Sequence, residues 1–419
     1  MTQGASHKGH EVKGERMNIC FIGKRNVGKS SIINKLIGQN VSIVSEQPGT
    51  TTDAVAKRYE LHPIGAVTIY DTAGYDDDSN LGEKRVQATM KALFRSDLAV
   101  IVLDNQGIKE TDVFYIEKLD ELKIPFVAVW NKSDVRGADG ETMDFFEKRG
   151  SAVMEFSAIM NDSQSLPLHG KEERISDLKD EIVKKVLSLK GNEGFIIKDL
   201  IEQNDKVVLV MPIDNSAPKG RIILPQVQVL REVLDANAIA LCCTEKELNE
   251  ALQSLNRPPK IVITDSQAID FVSKIVPENI NLTTFSVLFA RYRGELRPLL
   301  DGLKVLKELK EEDYVLVAES CSHHAMDEDI GLVKIPRWIK EYLGFSPQFT
   351  KVNGHDFPDD LEKYRLVIHC GGCMMTRMEL LRRINECQRR GVAITNYGML
   401  ISEVHGYLER VVRGMGQKA

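Results

Sequence analysis

Tryptophan and cysteine are scarce in this chain of 419 residues, which holds two Trp and seven Cys. Seven thiols in a chain this long exclude a disulfide-stapled scaffold. Long hydrophobic runs are also missing. The longest, 98–103 and 284–289, are strand-sized, far below the roughly 20 residues of a membrane span, so no membrane association is expected. Residues 1–16 contain no apolar segment of the kind a secretory signal needs; they read as a flexible tail, and a cytoplasmic location is expected. Neither sign of charge dominates, with 55 Lys and Arg against 61 Asp and Glu and a net charge of -6. That balance gives no global field for nucleic acid or an anionic membrane. No basic run interleaves with the few aromatics (6%), so no nucleic-acid partner is expected. Internal repeats are absent. With 42% hydrophobic and 28% charged residues, disorder, collagen and coiled coil are excluded as well.

What is present is an alternation of β-branched apolar runs with helical patterns, the signature of βαβ units and parallel sheets. At roughly 150 residues per domain, the length suggests about three. The expected fold class is α/β: a phosphate-loop (P-loop) nucleotide-binding domain followed by two further α/β domains with mainly parallel sheets. Strands are predicted at 18–22, 67–70, 98–103, 126–130 and 153–156, with a closing helix at 175–189, so the first domain takes 17–190. A Gly-containing linker around 190–194 precedes a small α/β domain over 198–278, with strands at 207–211, 238–242 and 261–264. The last domain, 279–419, is predicted to hold strands at 284–288, 314–318, 366–369 and 392–395 and helices at 295–309 and 377–390.

Gly23-Lys24-Arg25-Asn26-Val27-Gly28-Lys29-Ser30 follows a predicted strand and opens a helix, the context in which G-x-x-x-x-G-K-S cradles phosphate. Gly23, Val27, Gly28 and Ser31 would offer backbone N–H groups at a helix N-terminus, Lys29 would reach the β/γ-phosphates and Ser30 would ligate Mg²⁺. Asp71-Thr72-Ala73-Gly74 also follows a strand; Asp71 would hold the metal through water and the Gly74 N–H would contact the γ-phosphate. Asn131-Lys132-Ser133-Asp134 follows the fourth strand. The Asp134 carboxylate suits the N1–H and exocyclic amine of guanine, a donor pair that adenine lacks, so the element selects GTP over ATP. Ser157-Ala158 would supply an N–H to the guanine carbonyl.

This ordered set resembles the translation-factor-like GTPases across residues 17 to about 190. Gly49-Thr50-Thr51-Thr52-Asp53 is similar to the first switch of the tRNA-modifying GTPases, and the resemblance implies Thr51 as the Mg²⁺-contacting switch residue. Tyr75 stands where Ras-like proteins have a water-orienting Gln, so hydrolysis needs another arrangement. In the similar K⁺-activated GTPases an Asn at the position of Asn26 ligates K⁺, which implies K⁺ dependence here. Glu83 matches a glutamate with which that family orients water; a solvated glutamate at a helix start reads equally well.

Four of the seven cysteines lie in the last quarter of the chain. Cys321-Ser322-His323 and His369-Cys370-Gly371-Gly372-Cys373 both follow predicted parallel strands, the usual place for a site in an open α/β sheet. Three thiolates with neighbouring imidazoles suit an iron–sulfur cluster with one corner free of thiolate, and the paired glycines would let backbone N–H groups approach sulfide. A closed Cys₃His zinc site fits the spacing equally well, and a thioredoxin-like dithiol less well. Cys20, Cys242, Cys243 and Cys387 fall in strand or helix patterns and read as core, as do Met374 and Met375; His324 reads as a surface residue.

The pairing of a K⁺-type GTPase with C-x-H…H-C-G-G-C resembles the HydF family of [FeFe]-hydrogenase maturation GTPases, over essentially everything from Met17 onward. The resemblance implies a GTPase domain, a middle dimerisation domain and a domain binding a [4Fe-4S] cluster through Cys321, Cys370 and Cys373, with His323 and His369 in the motif. It implies a homodimer or higher homo-oligomer. It also implies a scaffold that receives a di-iron precursor from radical-SAM maturases and delivers it to apo-hydrogenase. The competing expectation is a K⁺-dependent GTPase of ribosome or tRNA biology with a structural zinc domain.

Overall fold

A computed structural model describes residues 16–38, 54–74, 80–157, 175–190, 194–213, 222–320, 329–355, 357–372 and 375–415. The chain divides into two compact units, Met1–Asn192 and Glu193–Ala419. In the first, the described elements are β1 (Met17–Ile22), α1 (Lys29–Ile37), β2 (Val55–Leu61), β3 (Gly65–Asp71), α2 (Asn80–Arg95) and β4 (Leu98–Leu103). They continue as α3 (Glu110–Glu121), β5 (Phe126–Asn131), α4 (Gly140–Glu147), β6 (Val153–Phe156) and α5 (Ile175–Lys190). The sheet order is β2-β3-β1-β4-β5-β6; β2 runs antiparallel to β3 and the other pairings are parallel.

Alternation along β1 explains how the sheet is covered. Ile19 and Phe21 enter one core with Ile32, Leu36 and Ile182, while Cys20 and Ile22 enter the other with Ile116, Leu119 and Trp130. Both faces of β1 are therefore buried, as its uninterrupted apolar sequence requires. Each such Ile or Leu removed from water stabilises the fold by roughly 1.5–3 kcal/mol. The chain leaves β1 for β3 on one side and later crosses to β4 on the other, so the segment after β1 sits at the point where strand order reverses.

The second unit holds two four-stranded sheets. The first contains β7 (Lys206–Val210), α6 (Leu224–Asp235), β8 (Ile239–Cys243), α7 (Leu248–Gln253), β9 (Ile261–Thr264), α8 (Ile269–Ile275) and β10 (Asn281–Thr284), followed by α9 (Phe285–Arg293) and α10 (Leu296–Lys304). The second contains β11 (Tyr314–Glu319), α11 (Ile335–Leu343), β12 (Gln348–Asn353), β13 (Tyr364–His369), α12 (Arg377–Arg389), β14 (Ala393–Asn396), α13 (Tyr397–Val404) and α14 (Leu408–Val412). The orders are β10-β9-β7-β8 and β12-β11-β13-β14, parallel throughout. One continuous hydrophobic core runs from Ile196 to Met415.

Two sequence expectations are corrected here. The strand predicted at 284–288 is the helix α9, capped by Thr284, whose Oγ1 accepts from the Val287 N–H at 3.3 Å. Its apolar run is buried nearly all round because α9 lies inside the unit, so the sequence carries no one-sided helical stripe. The strand lies just upstream, at Asn281–Thr284, and pairs with β9. β14 likewise passes straight into α13, with Asn396 Oδ1 accepting from the Met399 N–H at 2.8 Å. Cys242, expected in the core, is exposed, and Cys243 is half-buried, because β8 stands at the edge of the sheet among the described strands. Cys20 and Cys387 are buried, and so is Met375.

Candidate functional site

At the end of β1 the glycines of the phosphate loop are demanded by contact. A Cβ on Gly23 (φ 154°) would lie 2.3 Å from the Val102 carbonyl oxygen, and one on Gly28 (φ 97°) would lie 2.2 Å from Asn131 Nδ2. Asn26 adopts φ 62°, a left-handed conformation that Asn tolerates better than most residues. The side chain of Lys29 turns back across the loop, its Nζ donating to the carbonyls of Gly23 and Lys24 at 2.8 Å each. Its ammonium is thus held within the curve of the loop, where a phosphate charge would be met. Ser30 and Ser31 open α1 on the same turn.

The other motifs converge on this loop. Ser30 Oγ donates to Asp71 Oδ2 at 2.6 Å, which joins the two side chains expected to share Mg²⁺. Gly74 passes so close to the loop that a Cβ would sit 2.3 Å from the Arg25 amide nitrogen. Asn131 Nδ2 donates to the Val27 carbonyl at 2.7 Å, and Ser157 Oγ donates to Asp134 Oδ1 at 2.7 Å. Phosphate, metal and base elements, expected from separate strand ends, therefore form one connected rim. Thr51 and Ala158 lie outside the described residues, and so does the side chain of Glu83, whose backbone belongs to α2.

Two further ion pairs brace the rim. Lys24 Nζ pairs with the buried Asp112 at 2.9 Å, and Lys132 Nζ with Asp104 at 3.0 Å. Asp104 directly follows β4, a signal that could have been read; Asp112, inside α3, carries none.

In the second unit, β11 and β13 are neighbours whose onward connections run to opposite sides, and Cys370 directly follows β13 at this reversal point. Its N–H continues the ladder to the Ala318 carbonyl at 2.9 Å. Cys370 Sγ receives the Ser320 N–H at 3.1 Å and the Gly372 N–H at 3.5 Å, with Ser320 Oγ 2.9 Å away. Backbone N–H groups of this kind are the donors that cluster sulfur accepts from. Cys321 and Cys373 lie outside the described residues, as do His323, His324 and Met374; yet the residues immediately before the two cysteines, Ser320 and Gly372, both reach Cys370 Sγ. Of the paired glycines, Gly372 (φ 64°) has Leu380 and Arg293 within 3.4 Å of a would-be Cβ, whereas one on Gly371 would meet nothing within 4 Å among the described residues.

Both ring nitrogens of buried His369 are engaged, Nδ1 at 2.7 Å from the Cys370 carbonyl and Nε2 at 3.2 Å from Arg383 Nη1. The carbonyl can only accept, so Nδ1 carries the proton and Nε2 receives from Arg383. Burial first, then the neighbouring Arg383 charge, holds the imidazole down at about 3. Arg383 is fixed in turn by Glu379 at 3.5 Å and by the Gly354 carbonyl at 3.1 Å, while His355 Nδ1 meets Glu379 at 2.8 Å. As placed, His369 supports the loop rather than offering a lone pair to a metal. Among the described residues no three His, Cys, Asp or Glu side chains gather as a metal site. The donor set nevertheless fits a sulfur-ligated cluster: a thiol wrapped by N–H donors, and beside it the Arg293 guanidinium, whose buried Nε has no hydrogen-bond partner among the described residues.

Fold and rim together define a P-loop GTPase domain, followed by two parallel α/β layers, the second with a cysteine loop after β13. Three family models match: "Hydrogen maturase F tetramerization domain" over residues 297–414, "Hydrogen maturase F dimerization domain" over 196–294, and "50S ribosome-binding GTPase" over 18–132. The two maturase models together take in more than half of the sequence, and the chain belongs to the hydrogen maturase F family. Its described helices include none long and apolar enough to cross a membrane. Among curated proteins it is similar to GTPase Der of Clostridium botulinum strain Hall, 38% identical over 147 residues, covering 34% of this chain and 33% of that protein. It is also similar to the tRNA modification GTPase MnmE of Clostridioides difficile, 29% identical over 187 residues, covering 44% and 38%. The chain thus spans about a third of the length of these curated relatives. A solved structure, the G domain of the T. maritima FeoB iron transporter, matches with TM-score 0.30 and 18% identity, over 41% of this chain and 98% of that one.

Proposed function

We propose that the protein is a GTP-hydrolysing scaffold that binds a [4Fe-4S] cluster and carries the di-iron precursor of the [FeFe]-hydrogenase active site to the apo-enzyme, with radical-SAM maturases as donors. The observation that carries this reading is the presence, in one chain of the maturase F family, of a connected phosphate–metal–guanine rim and of Cys370 wrapped by the N–H groups of Ser320 and Gly372.

In this reading Lys29 and the amides of Gly23, Val27, Gly28 and Ser31 bind the phosphates, Ser30, Asp71 and Thr51 hold Mg²⁺, and Asp134 with Asn131, Lys132, Ser157 and Ala158 reads guanine. Asn26 ligates K⁺, whose charge takes the place of an arginine finger, while Gly74 and Glu83 orient the γ-phosphate and the attacking water. Cys321, Cys370 and Cys373 hold the cluster, and His369 positions the Cys370 carbonyl. Three thiolates leave one iron able to exchange its ligand, which suits a carrier that must release cargo. GTP acts as a switch: the γ-phosphate orders the segments of Thr51 and Gly74 and hydrolysis releases them, altering partner contacts. The dimerisation and tetramerisation segments make the working species a homo-oligomer, and its setting is the cytoplasm, where free thiols persist.

Anaerobic purification with metal and sulfide analysis and an EPR spectrum of the reduced protein tests the central claim. Iron and sulfide with a [4Fe-4S] signal are expected; a colourless protein with one zinc per chain would replace the carrier by a structural-zinc GTPase.

A further inference from the structure

Arg293 closes α9 and belongs to the segment that matches the dimerisation domain, yet its side chain serves the cysteine loop of the other sheet. Nη1 donates to the Gly371 carbonyl at 3.1 Å, and a Cβ on Gly372 would lie 3.4 Å from the same nitrogen. The backbone carbonyl of Arg293 accepts from Arg377 Nε at 3.1 Å, so the first residue of α12 holds it from the opposite direction. The Phe289 ring lies 5.7 Å from the guanidinium.

The side chain is 5% exposed, and among the described residues no carboxylate pairs with it. Other arginines here are matched, Arg291 by Asp199 and Arg383 by Glu379. A buried guanidinium without a counter-charge is strongly unfavourable unless an anion compensates it. What stands beside Arg293 is the Cys370 loop, which in the reading above carries an anionic cluster.

Resting on the iron–sulfur reading above, we propose that Arg293 is a positioning residue for the cluster loop and the fixed positive charge that offsets the cluster's negative charge, thereby raising its reduction potential. Reduction adds an electron and makes the cluster more negative, so a nearby guanidinium stabilises the reduced form more than the oxidised one. The assignment also gives the dimerisation segment a direct hold on the cluster environment, through one side chain.

The test compares full-length wild type, Arg293→Gln, Arg293→Lys and Arg297→Gln by iron and sulfide content and EPR-monitored redox titration, with GTP hydrolysis as a check on folding. Arg297 lies near the start of α10 and is exposed, so its variant controls for lost charge away from the loop. Arg293→Gln, which keeps an N–H donor but no charge, is expected to shift the potential to more negative values, Arg293→Lys to shift it less, and Arg297→Gln to leave it in place. A cluster lost in Arg293→Gln but retained in Arg293→Lys also supports a charge role. Unchanged potential and content in Arg293→Gln overturns the proposal, as does equal cluster loss in both Arg293 variants, which marks a purely structural role. Wild type holding zinc and no iron overturns the underlying reading instead, and is told apart by the metal analysis.

Discussion

At Gly28 one missing side chain lets two recognition elements share a space. Gly28→Ala is expected to push Asn131 away from the Val27 carbonyl, which leaves a buried polar group unpaired at about 1–3 kcal/mol, and to strain a left-handed backbone by about 1–2 kcal/mol. GTP affinity should fall at least tenfold in a fluorescent-nucleotide titration; undiminished affinity would show that the loop accommodates the methyl. Buried thiols give a second prediction. Burial pushes Cys387 from 9.0 up to about 12. The folded state therefore keeps a proton that the unfolded chain loses, and stability present below pH 9 is lost as pH rises toward 12, by about 1.4 kcal/mol per unit. Denaturant midpoints at pH 8, 9 and 10 should fall progressively above pH 9, and Cys387→Ala should flatten that slope; the same slope in both proteins would refute the assignment. Motif residues such as Lys29, Asp71 and Asp134 were legible because their chemistry requires fixed spacings after strands. Asp112, Arg293 and Ser320 were not, since each acts through a partner distant in sequence.

At the scale of elements, α10 and β14 approach closely. A Cβ on Gly302 would lie 1.9 Å from the Ile394 carbonyl oxygen. Propensity alone favours Ala over Gly inside a helix by about 1 kcal/mol, but a clash with strand backbone cannot be relieved by a rotamer change, and overpacking costs about 1–3 kcal/mol or more. Gly302→Ala should therefore lower the melting temperature; an increase would mean that propensity outweighs the contact. Most strands of the first unit were legible because their apolar runs are bounded by turn residues and motifs. β2 was missed because it is an edge strand with a mixed, half-exposed face (Val55–Leu61), and β12 for the same reason (Gln348–Asn353). α9 is a short run apolar on nearly all sides, which periodicity does not distinguish from a buried strand.

For the whole molecule, the nucleotide rim and the cysteine loop fall in different compact units, so their losses should be separable. Lys29→Ala is expected to abolish GTP hydrolysis while iron and sulfide content stays at the wild-type level. The wild-type rate measured alongside should be higher in K⁺ than in Na⁺ if Asn26 ligates the cation. Loss of cluster in the lysine variant would show that the units depend on each other for assembly, and equal rates in the two salts would remove the potassium role. That both cysteine segments leave strand ends was legible; that a residue from the dimerisation segment supports one of them was not, because it depends on how two sheets share one core.

β10 and β14 turn into α9 and α13 without an intervening residue. A single inserted residue there would rotate the following helix by about 100° and carry its buried face away from the core. Evolution can therefore lengthen or shorten this unit only elsewhere, and α9, with Arg293 at its end, is locked in phase with the strand that leads into it.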